Sequence, residues 1–174
     1  MVYNYEKGLE YALYLLSLQM RTVKQLEDKL ASKEMSPELI AQIIGFLKEL
    51  KYLDDVTYAQ YFIRSKRLKY GDYRIKMALK QKGVSNHDAE EAFLKLQDEE
   101  ESEGEPHDPE LAIRVILDKK IASTNIDWDR LKTDYKYKYS TYQKLASFLA
   151  NRGFSSSIIK SAVSERLAEE FIDE

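Results

Sequence analysis

The order of apolar and polar positions along this chain has a helical period, and the pattern returns. Three segments, 22–47, 71–96 and 141–166, align without gaps over their central part, the second displaced by 49 residues from the first and the third by 70 from the second. Leu26, Ile75 and Leu145 coincide, as do Leu30, Leu79 and Leu149 four positions on. That spacing predicts one apolar stripe on a short helix. Lys33, Lys82 and Arg152 follow, then apolar Met35, Val84 and Phe154, then a serine in each copy: Ser36, Ser85 and Ser155. Beyond it Ile40, Ala89 and Ile159 coincide, then Ile43, Ala92 and Ala162, then Ile44, Phe93 and Val163, the stripe of a second helix.

The break between the two helices is chemically marked. Gly83 and Gly153 stand where a helix commonly ends in a left-handed residue. Glu34 holds that place in the first copy, so that helix is expected to end differently. The serine is suited to cap the following helix with its hydroxyl, and Pro37 fits a first turn, where no amide donor is missed.

Each copy also has a preceding helix. Leu9, Ala12, Leu13 and Leu16 form the first, Val56, Ala59, Phe62 and Ile63 the second, and Leu111, Val115 and Ile116, with residues 128–139, the third. The unit is thus three helices, repeated three times. A unit of about 45 residues barely buries a core alone, so neighbours must stack. The expected fold is all-α, an elongated tandem array of three three-helix repeats at 1–53, 54–97 and 110–174. Between the last two, residues 98–109 read as an acidic loop or hinge, where the larger displacement inserts its extra residues.

Composition agrees with helices. Six glycines and three prolines in 174 residues are few for a turn-dense β sandwich, and 44% hydrophobic residues supply a core of ordinary size. The absence of cysteine removes disulfides, thiolate metal sites and thiol nucleophiles, and fits a reducing cytoplasm. No apolar run approaches the roughly 20 residues of a membrane span, and the N-terminus has no secretory-signal pattern. A cytoplasmic protein is expected.

Net charge is −3, but residues 98–110 hold eight acids and no Lys or Arg, and setting them aside leaves +5. Residues 64–82 carry Arg64, Lys66, Arg67, Lys69, Arg74, Lys76, Lys80 and Lys82 against one acid, Asp72. Tyr61, Tyr70 and Tyr73 are interleaved. Cations of this density can neutralise phosphates with release of counterions, and tyrosines can stack on exposed bases. A solvated helix face would carry the same charges without a ligand. A second cluster, Arg130, Lys132, Lys136, Lys138 and Lys144, alternates with Tyr135, Tyr137, Tyr139 and Tyr142, which could equally be core-edge residues with a wet hydroxyl. The acidic stretch could act as an anionic arm competing with DNA for the basic face.

Catalytic chemistry is not legible. The glycines form neither a phosphate loop nor a dinucleotide fingerprint, and His87 and His107 share no metal-ligand spacing. Asp54-Asp55, before Val56, reads as a helix N-cap and not as a metal pair. No enzyme, no cofactor and no metal are expected.

Three stretches carry a resemblance. The first is Ala12, Leu15-Leu16-Ser17, Arg21-Thr22, Leu26 and Leu30. The second is Leu53-Asp54-Asp55-Val56-Thr57-Tyr58-Ala59 with Gly71, Arg74-Ile75, Leu79 and Lys82-Gly83-Val84. The third is Tyr142-Gln143-Lys144-Leu145, Leu149 and Arg152-Gly153-Phe154-Ser155. Together, in this order, they resemble the RecX family. Glu34 in place of a common glycine and the long acidic insert depart from the family pattern. The resemblance implies a regulator of recombination and DNA repair, within the SOS response, that lies along the groove of the RecA–single-stranded-DNA filament and restrains strand exchange and ATP hydrolysis. It implies a RecA partner, single-stranded DNA contacted within the filament, and weak nonspecific DNA binding by a monomer. On that reading the 64–82 face meets the filament. The alternatives are a helix-turn-helix-like transcriptional regulator, which would bind a particular duplex, and a protein-only helical adaptor, which would show no dependence on DNA.

Overall fold

The computed structural model describes residues 4–104 and 107–169, and among these every regular element is a helix. The first repeat is α1 (Tyr5–Leu18), α2 (Val23–Ala31) and α3 (Pro37–Glu49). The second is α4 (Asp55–Lys66), α5 (Asp72–Gln81) and α6 (Asn86–Glu103). The third holds α7 (Pro109–Ala122), α8 (Trp128–Thr133), α9 (Tyr135–Ala150) and α10 (Ser156–Glu169). The tandem helical array is the one the repeats predict, with a short fourth helix in the last copy. Residues 128–139 are not one helix. Asp134 divides them, its extended backbone closing α8 through Arg130 O while its carboxylate accepts from Tyr137 N at 3.0 Å to start α9.

The helix boundaries follow local chemistry. Thr22 and Gln25 form a reciprocal capping box at the start of α2. Ser36 and Ser85 cap α3 and α6 as expected, accepting from Leu39 N and Asp88 N. At Ser155 the hydroxyl instead meets Ser157 Oγ at 3.1 Å. Asp54 caps α4, accepting from Val56 N and Thr57 N.

The three middle helices end alike, which corrects one expectation. Gly83 and Gly153 adopt φ of 88° and 82°, and Glu34 adopts 60°, so the first helix ends as the others do despite lacking glycine. Lys33 N donates to Leu30 O, Lys82 N to Leu79 O and Arg152 N to Leu149 O, the same bond in each copy. Backbone pairing tolerates the left-handed glutamate at a conformational cost of about 1–2 kcal/mol.

Two compact units result: Met1–Ile63 with Lys76–Gly104, and Arg64–Ile75 with Glu105–Glu174. In the first, Ala12, Leu15, Leu26, Leu30, Ile43 and Leu47 form the core of the first repeat. In the second, Ile113, Leu117 and Ile121 of α7 join Leu145, Leu149, Ile159 and Val163. The interior face of α1 passes through Leu15, while Leu13, read as part of its stripe, is turned outward. On α7 the shift is larger. Of the three expected positions, Leu111 and Val115 are exposed and Ile116 packs half-buried against the core, whose interior is filled instead by Ile113 and Leu117. Both helices carry apolar residues on more than one face, so the period alone leaves the phase open.

Residues 98–103, expected in a loop, continue α6 to its left-handed cap at Gly104. Glutamate is a good helix former, and the end of the helix is anchored by Gln97–Glu101 at 2.9 Å and by Gln60 of α4 to Glu99 at 3.1 Å.

One inter-repeat junction occurs inside each unit. In the first, Thr22 Oγ1 donates to Lys82 O at 2.6 Å, and Gly83 lies against the side chain of Lys24 so closely that a Cβ would collide with it. In the second, Gly71 N donates to Arg152 O at 2.9 Å, and a Cβ on Gly71 would strike the backbone of Gly153. Thr22 and Gly71 are equivalent positions of the repeat, as are Lys82 and Arg152. The start of one middle helix therefore docks on the turn that ends the next.

Candidate functional site

The eight cations of the 64–82 segment fall into both units and are best taken in each. In the first unit, Lys76 binds Glu90 at 2.7 Å and lies 5.1 Å from the ring centre of Phe93, while Lys82 lies 5.5 Å from that of Phe62. Lys80 is exposed on α5. Of the three, Lys80 is the cation held least by its own fold.

In the second unit, Arg64 and Lys66 close the last turn of α4, and Arg67 and Lys69 lie in the turn before α5. Arg64 and Lys69 are exposed, and Lys66 and Arg67 are half-buried. Arg74 is bound into the fold, because its guanidinium donates to Asn151 O at the end of α9 and stands 4.7 Å from the ring centre of Tyr70. A cation at a helix C-terminus is favoured by the carbonyls there. Tyr70 is thereby covered on one face, whereas Tyr73 is 71% exposed and open for stacking; in the first unit Tyr61 is likewise exposed.

The second cluster also divides. Arg130 bonds Asp134 at 3.1 Å and lies over Tyr137, whose hydroxyl accepts from Asp127 N at 3.0 Å. These three residues hold the α8–α9 corner. Asp134 is kept below the usual carboxylate range by Tyr137 N, then by Arg130. Lys136 and Lys144, with Tyr135 and Tyr139, remain on the surface. Cations missed from the sequence, Lys119, Lys120 and Arg152, line one cavity of the second unit, with Lys120 and Arg152 over the ring of Phe148. Lys119 and Lys120 are only a pair, and Arg152 lies far along the chain from them, so the three do not register as a run.

Asp55 also does more than expected. Its carboxylate accepts from Val23 N at 2.8 Å and so caps α2 of the preceding repeat. Burial pushes its pKa up; the Val23 bond opposes this, and the carboxylates of Asp88 and Asp54 add to it. His87, Asp88 and Glu91 come within ligand distance of one another on the first turns of α6. Asp88 also pairs there with Ser85 at 2.8 Å and His87 is exposed, an arrangement that helix-capping chemistry accounts for. No helix among the described residues is long and apolar enough to cross a membrane.

A tandem array of short capped helices with surface cations defines a helical-repeat protein. Sequence and structure comparisons agree on its kin. Residues 9–47 match a family model described as the first three-helix domain of RecX, and residues 54–92 one described as the second. The chain is 33% identical over 167 residues to the regulatory protein RecX of Clostridium botulinum strain Alaska E43, covering 96% of this chain and 72% of that one. It is 33% identical over 165 residues to that of Leuconostoc mesenteroides, covering 94% of this chain and 55% of the relative. The crystal structure of RecX from Lactobacillus salivarius superposes with a TM-score of 0.69 at 27% identity, covering 94% of this chain and 96% of that one. The chain belongs to the RecX family of regulatory proteins.

Proposed function

We propose that this protein binds the RecA–single-stranded-DNA filament and restrains its ATP hydrolysis and strand exchange, in recombination and DNA repair in the cytoplasm. The observation that carries the reading is family membership along nearly the whole chain, at 33% identity to a regulatory protein RecX. The tandem array supports it, because separate units can meet successive positions of a repeating polymer. Phosphate contact falls to the surface cations that the fold does not already use, Lys69 and Lys80 first among the eight predicted, with Arg64, Lys66, Arg67, Arg74, Lys76 and Lys82 shaping the local field. Contacts of this kind are weak, sequence-tolerant and salt-dependent.

The test is RecA ATPase activity on single-stranded DNA, titrated with this protein at two salt concentrations beside a DNA-only binding control. Inhibition at concentrations well below those that coat free DNA is expected. An unchanged ATPase rate together with tight binding to one particular duplex would replace this reading with that of a transcriptional regulator. Inhibition that persists unchanged when both Lys69 and Lys80 are reversed to glutamate would remove these cations from the interface.

A further inference from the structure

We infer that the groove on α7 and α9 of the second unit docks an acidic, amphipathic helical segment of a partner protein. Helix α7 is apolar on two faces. Ile113, Leu117 and Ile121 fill the core, and Leu111 and Val115, four residues apart, remain 62% and 46% exposed. A helix that is apolar this far round is ordinarily covered. Leu68, 66% exposed, faces the same cavity of about 1090 Å³, which follows α7 from Leu111 to Ser123. That run matches about three turns of a docked helix.

The rim selects the charge of the occupant. Lys119, Lys120 and Arg152 line the groove against one carboxylate, Asp108, which is already occupied as the N-cap of α7. Arg152 Nε is buried and finds no hydrogen-bond acceptor among the described residues. An incoming carboxylate would bring acceptors to that guanidinium. An aliphatic floor with a cationic rim is the complement of a helix carrying leucines on one side and glutamates beside them.

The same geometry disfavours nucleic acid here. Base stacking needs an open aromatic face. Phe148 is the ring in the floor, and Lys120 and Arg152 stand 5.3 and 4.3 Å from its centre. Tyr70 carries Arg74 on its ring. Aliphatic side chains supply most of the remaining apolar surface, and they suit a peptide. The inference rests on this groove alone and stands whether or not the filament reading holds.

The experiment uses the full chain and a fluorescein-labelled synthetic helix of about four turns, with leucines spaced along one stripe and glutamates flanking it. Two further probes are the same peptide with lysine for glutamate, and labelled oligo-dT. Anisotropy should rise with the acidic peptide and not with the lysine peptide. Val115→Glu, a change at an exposed position, should weaken binding by about tenfold or more, and so should the paired Lys119→Glu and Lys120→Glu, which leave the apolar floor intact should the valine variant fail to fold. Equal binding of both peptides, or no binding up to about millimolar protein, overturns the inference. Displacement of the acidic peptide by oligo-dT would make the groove a nucleic-acid site and also overturn it. So would concentration-dependent self-association of the protein that Val115→Glu abolishes, because the occupant would then be a second copy.

Discussion

Arg74 donates its guanidinium to the backbone carbonyl of Asn151, joining the first turns of α5 to the end of α9. The residue therefore belongs to the fold before it belongs to any ligand. Replacing Arg74 by glutamate removes the bond and sets a negative charge beside carbonyls, so a loss of about 1–2 kcal/mol is expected. Lys80→Glu, on the exposed side of α5, should stay within about 0.5 kcal/mol of the parent. Thermal melts of the two variants check this. Equal melts would mean that Arg74 is free to serve an interface.

Glu34 and Gly83 occupy one position of the repeat with opposite consequences. Glu34→Gly relieves a side chain held at φ 60° and should raise stability by about 1 kcal/mol. Gly83→Ala adds a methyl against Lys24 at φ 88° and should cost about 2 kcal/mol or more. Urea titrations with unchanged m-values would confirm both signs. A destabilised Glu34→Gly would show that the glutamate side chain offsets the strain of its backbone.

Asp55 introduces a pH dependence whose sign follows from its burial. Because its pKa is raised in the folded chain, folding takes up a proton between the ordinary aspartate range and the raised value. Its contribution is thus favourable at low pH and is lost as pH rises through that window. Asp55→Asn keeps an acceptor for Val23 N without the buried charge, so it should melt at or above the parent at pH 7 and lose that advantage toward pH 4. Asp55→Ala leaves the amide unbonded and should cost about 1 kcal/mol near pH 4 and less at pH 7, where it too removes the buried charge. Melts across pH decide it; an asparagine variant weaker at pH 7 than at pH 4, relative to the parent, would reverse the assignment.

Thr22→Val preserves volume while deleting the hydroxyl's half of the capping box and the bond to Lys82 O. A loss of about 1–2 kcal/mol is expected. Amide exchange should quicken first at Gln25, whose N–H the hydroxyl accepts at 3.1 Å. Unchanged exchange there would show that the cap contributes little.

The helical class, the three copies and most helix starts were legible because each rests on local chemistry: a stripe, a serine, a proline, an aspartate before a turn. The phase of α7 was not. Leu111 and Ile113 are equally apolar, and only packing against α9 and α10 decides which turns inward. Helix α6 ran past its expected end because a cluster of acids reads as solvated loop or as helix with equal ease, and Glu99 meeting Gln60 depends on tertiary structure. The charge run itself was legible, but charge does not reveal that Arg74 answers a helix end and Lys76 a glutamate. Lys119, Lys120 and Arg152 gather only once two helices cross.

The junction at Thr22 has a consequence for the chain as it is synthesised. Its acceptor lies 60 residues downstream, at Lys82, and the amide of Gly71 waits still longer for Arg152. A nascent chain that has just completed α3 carries the donor without the group it will bind. Closing such a loop delays folding until the distant segment exists, and surfaces that will be interior stay exposed meanwhile. Each of the first two repeats is thus finished by its successor, so the growing protein matures one step behind the ribosome.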